Sequence, residues 1–442
     1  MKIIIVGAGE VGTHLAKMLS RLQHDITLID EDGTKLRKAQ EGSDLMTIVG
    51  SPTSIKDLTD AGVTSVDLFI AVTPHESQNL TACLLAANLG AKRRVARIDN
   101  SEYMDDNCRK FFDKMGINAL IYPEKLAAEE IITSLRVNWV RQWMEFGDGA
   151  LTLIAMKVRG NAPIINKKLK DLTGSDHYRI VAIRRDSDTI IPKGDSEIKT
   201  NDIVYFFTTN DYVTHVRNEA GKEVINVKDL IIMGGSKIAV QTCESLPSGM
   251  NVKVIEKDKA LARTLSEELD AMVINSDASN PEILHQEDIE DMDAFVALTD
   301  NSEANILACL EAKQLGIKKT IAEVENISYI PLAEKLDIGT VINKKLIAAS
   351  HIYQYTLDID VSKVNCLTHV DAEVVELTAK EGSKITQSKI MDLKLPHDIF
   401  IGGFIRGGVG EIANGNTQIQ TNDSVIVFCL SASLTQLDKL FK

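Results

Sequence analysis

Residues 66–100, VDLFIAVTPHESQNLTACLLAANLGAKRRVARIDN, align without a gap on residues 292–326, MDAFVALTDNSEANILACLEAKQLGIKKTIAEVEN, at an offset of 226. Fourteen of the 35 positions are identical, among them Asp67, Phe69, Thr73, Asn79, Cys83, Gly90 and Asn100. The same offset places Asp30 on Glu256 and Met46 on Met272. A second match, at an offset of 221, joins GDSEIKTNDIVYFF (194–207) to GNTQIQTNDSVIVF (415–428). Self-similarity on this scale means that one folding unit is built twice. Each copy has two parts, so the order is A–B–A′–B′, with divisions expected at 1–135, 136–226, 227–356 and 357–442.

Part A has an α/β rhythm. IIIVG is a short continuous apolar run of the kind buried on both faces of a parallel sheet. Further strands are expected at DITLID, LMTIVG, DLFIAVT and RVARI, and a short one near ALIY. Helices are expected over 11–21, 31–41 and 76–90, the last ending at Gly90 in the place that favours a left-handed residue. Pro123 opens a further helical stretch near 124–145. This stretch, with Trp139 and Trp143, is expected either to link A to B or to pack on a neighbouring subunit, with an intrachain core as the commoner use of each Trp. Alternation of strand and helix predicts a Rossmann-like, doubly wound parallel sheet. Part B reads as short alternating or β-branched strands, ALTLIAMKV, RIVAIRR and DIVYFFT, separated by turns. It predicts a small α+β domain.

GAGEVG, residues 7–12, fits GxGxxG with its full context: a buried strand before, a helix after, and a second strand ending in an acid. Gly7 permits the tight turn, Gly9 lets the backbone approach a diphosphate, and Gly12 lets the helix pack on the strand. The N–H groups of Ala8, Glu10 and Val11 belong to a helix start suited to phosphate. Asp30, 23 residues after Gly7, is placed to accept from ribose hydroxyls. A 2′-phosphate about 4 Å from that carboxylate is opposed by roughly 4 kcal/mol at an effective dielectric near 20. NAD(H) is therefore favoured over NADP(H), while ATP, ADP and S-adenosylmethionine stay open. Other contacts are expected at the carboxyl ends of the strands: Gly50 and Ser51, Thr73 and Pro74, and Arg97. Arg97 is the one cation placed to meet a phosphate, although a salt bridge with Asp99 or another acid is an equal alternative.

The copy is altered where phosphate would lie. In Gly234-Gly235-Ser236-Lys237-Ile238-Ala239, Ser236 stands at the second glycine and Ala239 at the third. Glu256 keeps the acid at the end of the second strand, and Thr299 repeats Thr73. Asp277 appears near the place of Ser51, and Glu323 replaces Arg97. A second site built on these residues is expected to be weak, altered or empty.

The formal net charge of −14 argues against nucleic acid and against anionic membrane surfaces, both of which select Lys and Arg. No window approaches the ~18 apolar residues of a spanning helix, and no signal peptide opens the chain. The expected location is the cytoplasm. The six Cys form no CxxC pair, and the His form no metal pattern. Cys83 and Cys309 sit in apolar helical stretches and are read as small core residues.

The A–B–A′–B′ layout, GAGEVG with Asp30, FIAVT, RVAR and the repeated TND segment together resemble the TrkA family, the peripheral subunits of Trk potassium uptake systems. The resemblance covers essentially the whole chain. It implies RCK domains (regulator of potassium conductance), each an N-terminal Rossmann-like lobe followed by a C-terminal lobe. It implies a homo-oligomer, dimer or tetramer, forming a ring at the inner face of the cell membrane beneath an integral-membrane potassium channel subunit of the Trk/Ktr type. It also implies binding of NAD(H), ATP or ADP through Gly7 to Val11, Asp30, Thr73, Pro74 and Arg97, with the ligand changing the ring and gating ion flow. The departures lie in the eroded second loop, in Glu323, and in Ser51 where the family often has Asp. A soluble NAD-dependent oxidoreductase is the competing class. It needs a positioned acid or base near the nicotinamide, and part B offers no such cluster.

Overall fold

The computed structural model describes residues 1–20, 24–172, 177–185, 188–353, 355, 361–366, 372–396, 399–430, 437 and 440–441. The first lobe alternates β1 (Lys2–Val6), α1 (Glu10–Ser20), β2 (Asp25–Asp30), α2 (Gly33–Gln40), β3 (Met46–Val49), α3 (Ile55–Asp60), β4 (Leu68–Ala71), α4 (Glu76–Leu89), β5 (Arg93–Arg97), α5 (Asp106–Lys114), β6 (Ala119–Ile121) and α6 (Pro123–Arg136). Its strands pair in the order β3-β2-β1-β4-β5-β6, all parallel. The order reverses between β1 and β4, and the crevice at such a switch point is where open α/β sheets hold ligands. Apolar runs follow the burial: Ile3, Ile4, Ile5 and Val6 are each at most 2% exposed. Gly90 caps α4 in the left-handed region at φ +110°.

The first small lobe follows: β7 (Gln142–Phe146), β8 (Leu151–Lys157), β9 (Tyr178–Arg185), β10 (Asp188–Ile190), β11 (Ile203–Thr209) and α7 (Val213–Glu219). The second large lobe comprises β12 (Asp229–Met233), α8 (Lys237–Ser245), β13 (Asn251–Glu256), α9 (Lys259–Glu268), β14 (Met272–Asn275), α10 (Pro281–Gln286), β15 (Ala294–Ala297), α11 (Ser302–Gln314), β16 (Lys319–Glu323), α12 (Ile330–Lys335), β17 (Thr340–Ile342) and α13 (Lys344–Tyr353). Its order, β14-β13-β12-β15-β16-β17, repeats that of the first. The second small lobe holds β18 (Val361–Cys366), β19 (Ala372–Thr378), β20 (Ile399–Arg406), β21 (Val409–Ile412) and β22 (Ser424–Leu430). The small-lobe sheets, β7-β8-β11-β9-β10 and β18-β19-β22-β20-β21, are antiparallel and match strand for strand.

Two compact units result. Met1–Asn138 and Ile225–Ile352 form one, and Trp139–Val224 and Tyr353–Lys442 the other. Like lobes thus cluster with like. In the unit of small lobes, Phe207 meets Phe428 edge to face at 5.2 Å, inside a core shared by Leu151, Leu153, Ile405 and Ile426. The repeated TND segment is structural there. Asp202 is 1% exposed and accepts from one edge of the Arg185 guanidinium, from Nε at 2.9 Å and from Nη2 at 2.8 Å. Asp423 does the same for Arg406 at 2.8 and 2.6 Å. Each aspartate also accepts the backbone N–H three residues earlier, of Lys199 and Gln420.

The stretch near 124–145 differs from expectation. The helix stops at Arg136, and Gln142–Phe146 is a strand. The Asn138 side chain accounts for the stop: it donates to the Leu135 carbonyl and exchanges two hydrogen bonds with the Ile225 backbone. Nor does α6 finish its own lobe. Ala127, Ile131 and Leu135 lie in the core of the second large lobe with Leu230, Ile232, Ile238 and Val254. Trp139 and Trp143 are half-buried and meet edge to face at 6.2 Å, Trp143 donating to Glu145 at 2.8 Å. The expected division at 356–357 lies outside the described residues.

Candidate functional site

The first glycine loop joins β1 to α1. Gly7 has φ +105°, and a Cβ there would stand 2.9 Å from the Thr73 nitrogen. A Cβ on Gly12 would collide with the Gly7 carbonyl, so the helix seats directly on the strand end. A Cβ on Gly9 would meet nothing within 4 Å, which leaves open space over the middle of the loop. Gly9 also has no side chain with which to cap α1, whose first N–H groups stay available to an anion. Asp30 at the end of β2 accepts from Ala8 N at 2.6 Å and from Asp32 N at 2.8 Å. The expected ribose acceptor therefore also holds the loop in shape.

The other expected residues gather at the same strand ends. Gly50 and Ser51 form the turn after β3, with Ser51 N donating to Asp57 Oδ2 at 2.8 Å. Thr73 is buried and Pro74 exposed, side by side after β4. Arg97 closes β5, half-buried, and its guanidinium makes no hydrogen bond or ion pair with a described residue. The salt bridge with Asp99 is not formed: Asp99 pairs with Lys237 at 3.0 Å.

Two contributors were not singled out from sequence. Asn79, 1% exposed, accepts from Thr73 N and Oγ1 at 2.9 and 2.7 Å and donates to the Thr73 and Arg97 carbonyls at 3.0 Å each. It locks the ends of β4 and β5 together. Asn305 repeats every bond with Thr299 and Glu323. Its identity in both copies was the available signal. Lys345 had none. It opens α13, in the other lobe, yet its ammonium lies 2.7 Å from Glu10 in the first loop and 3.1 Å from Glu325.

The second loop keeps the frame and changes the charge. Gly234 has φ +96°. Glu256 accepts from Gly235 N and Asp258 N, both at 2.7 Å, as Asp30 does in the first. Ser236 caps α8, its Oγ accepting from Ala239 N at 3.4 Å. Asp277 accepts from Ser279 Oγ and N at 2.6 and 2.9 Å, and these bonds hold its carboxyl below the usual range. A cavity of about 860 Å³ lies over the loop, lined by residues 234–238 together with Glu256, Asp277, Thr299, Glu124 and Lys344. Glu323, 1% exposed, is pushed up to about 7 by burial, against the pull of Lys344 at 3.4 Å. Lys344 also lies 2.6 Å from Glu325 and 4.0 Å from Glu124.

Cys83 and Cys309 are fully buried, and burial pushes both thiols up, so they are inert core residues as expected. Among the described residues no His, Cys, Asp and Glu group could hold a metal, and no helix is long and apolar enough to cross a membrane.

Twin Rossmann lobes, each with a glycine loop after its first strand and each followed by a small β lobe, define a tandem Rossmann-domain protein. The TrkA-N domain matches residues 3–123 and 230–344, and the TrkA-C domain matches residues 153–221 and 374–442. The chain belongs to the TrkA family. It is 32% identical to the Trk system potassium uptake protein TrkA of Haemophilus influenzae, across 100% of this chain and 99% of that one. Its fold is that of the GsuK RCK domain, with TM-score 0.60 at 14% identity, covering 100% of this chain and 94% of that one. The GsuK channel bound to NAD matches equally, with TM-score 0.60 at 14% identity over 100% of this chain and 78% of that one.

Proposed function

We propose that this chain is the cytoplasmic regulatory subunit of a potassium uptake channel, assembled as a ring on the inner face of the membrane beneath an integral-membrane subunit of the Trk/Ktr type. The first loop binds NAD(H) or ATP/ADP, and the ligand rearranges the ring and gates the pore. The observation that carries this reading is the first crevice itself: an open, uncapped glycine loop with Asp30 on one side and, on the other, Arg97 with no acidic partner among the described residues. Lys345, reaching Glu10 from the other lobe, adds a second cation near the phosphate path and a lever. A ligand drawing Lys345 or Arg97 toward a γ-phosphate changes the junction between the lobes, whereas ADP leaves it freer. A ligand shifts a two-state assembly only by its differential affinity. We assign the chain no chemical step of its own.

Calorimetric titration with NAD, NADH, ATP and ADP at matched salt tests the binding. Gly9→Val puts a branched side chain into the space over the loop, where a Cβ meets nothing within 4 Å, so it should abolish NADH binding with the fold intact. Ser236→Val should leave NADH binding alone. Potassium flux through the reconstituted membrane partner, with ATP against ADP, reads the output. Identical flux with both nucleotides, or NADH binding that survives Gly9→Val, would sink the reading.

A further inference from the structure

The helices that cross between the lobes bring opposite charges to the two loops. Glu124 and Lys345 hold the same place in the repeat, the second residue of the helix after the sixth strand. Lys345 brings a cation to the first loop, and Glu124 brings an acid to the second cavity. Glu124 is 5% exposed, and its Oε2 has no hydrogen-bond partner among the described residues. A buried carboxylate oxygen left in this way is destabilising unless a donor or cation meets it. The cations lining the cavity are committed elsewhere or lie at its rim. Lys237 pairs with Asp99, Lys344 is shared by Glu325, Glu323 and Glu124, and Lys257 is exposed. Asp300 lines the cavity where the first loop has Pro74, and Ser236 takes one of the N–H groups that phosphate would use. Glu256 nonetheless repeats the two bonds of Asp30. The ribose end of the cavity is retained while the phosphate end is reversed.

We propose that the second cavity takes an adenine nucleoside whose 5′ substituent is cationic and carries no phosphate. The 5′ substituent of S-adenosylmethionine carries a sulfonium, an ammonium and a carboxylate and so is cationic overall, and that molecule is the probe. A volume of about 860 Å³ is ample for it. The proposal does not depend on which nucleotide fills the first loop.

The full chain, alone and saturated with NADH, is titrated with S-adenosylmethionine, S-adenosylhomocysteine and ADP. One equivalent of S-adenosylmethionine per chain binds without displacing NADH. S-adenosylhomocysteine, which lacks the sulfonium charge, binds at least tenfold more weakly, and ADP adds no second equivalent. Glu124→Gln keeps the shape and removes the charge; it weakens S-adenosylmethionine at least tenfold and leaves NADH binding unchanged, which also certifies the fold. The proposal is overturned if S-adenosylmethionine fails to bind or only competes with NADH. It is equally overturned if ADP fills the cavity, if both sulfur compounds bind alike, or if Glu124→Gln changes nothing. Failure of NADH to bind bears on the first loop alone, since the titration without NADH still reads the second.

Discussion

Glu323→Gln should change how stability depends on pH, in a direction the structure fixes. Glu323 is 1% exposed, and burial lifts its carboxyl from an ordinary 4.5 to about 7, with Lys344 opposing. Below pH 4.5 the group is protonated whether the chain is folded or not, and no charge is buried. Between 4.5 and 7 the unfolded chain ionises first, so stability falls as pH rises, and the loss is complete above the folded value. The interval corresponds to about 3 kcal/mol in full, of which about 1 kcal/mol falls between pH 6 and pH 8. Gln stays neutral throughout. Lys344 keeps Glu325 at 2.6 Å, so the variant strands no ammonium. The variant should therefore gain about 1 kcal/mol on wild type between pH 6 and pH 8. Guanidinium unfolding followed by far-UV circular dichroism at pH 6, 7 and 8, at constant ionic strength, measures the difference when the slopes agree. Parallel pH profiles for the two proteins, or a variant that loses ground at pH 8, would refute the reasoning.

Asp30→Ala removes the acceptor of Ala8 N and Asp32 N together with the ribose partner. With charged hydrogen bonds contributing about 1.5–3 kcal/mol, NADH affinity should fall roughly ten- to a hundred-fold in calorimetry. NADPH should lose less because a repulsion is lifted, and equal losses would argue against a ribose role. Lys345→Ala should weaken ADP and NADH by about fivefold at low salt and by less at high salt; a salt-independent loss would contradict an electrostatic role. Asp202→Asn and Asp423→Asn should each destabilise the small-lobe unit by roughly 2–3 kcal/mol, at the low end for breaking a buried pair because Arg185 and Arg406 are partly exposed. Matching losses in thermal melts would support their shared role, and a neutral Asp202→Asn would dismiss it.

Most of the large-lobe fold was legible because local patterns carried it. The run IIIV, the repeat of FIA and FVA, and Gly90 after an apolar helix each specify backbone and burial within a few residues. The short charged helices α3 and α5 were not legible: each buries a single side chain, Leu58 and Phe112, too few to set a period. The strand β7 was misread as helix because the stop depends on Asn138 bonding to Ile225, 87 residues away. At the site, GAGEVG and Asp30 announced themselves. Asn79 was visible only as an identity between copies, and whether Arg97 would be paired was open until Asp99 was seen with Lys237.

The sequence by itself determined that one unit is built twice, that each large lobe is a doubly wound parallel sheet, and that the two glycine loops differ, GAGEVG in the first and GGSKIA in the second. These are properties of spacing and residue type, which a chain carries before it folds. The tertiary structure alone decided that like lobes pair with like, that α6 completes the core of the other lobe, and that Lys345 and Glu124 are delivered in opposite senses to the two loops. An amphipathic helix specifies that one face will be buried, but any complementary apolar face would satisfy it. Which face it meets, and so which charge its first turn brings to which crevice, is set by packing between segments more than a hundred residues apart.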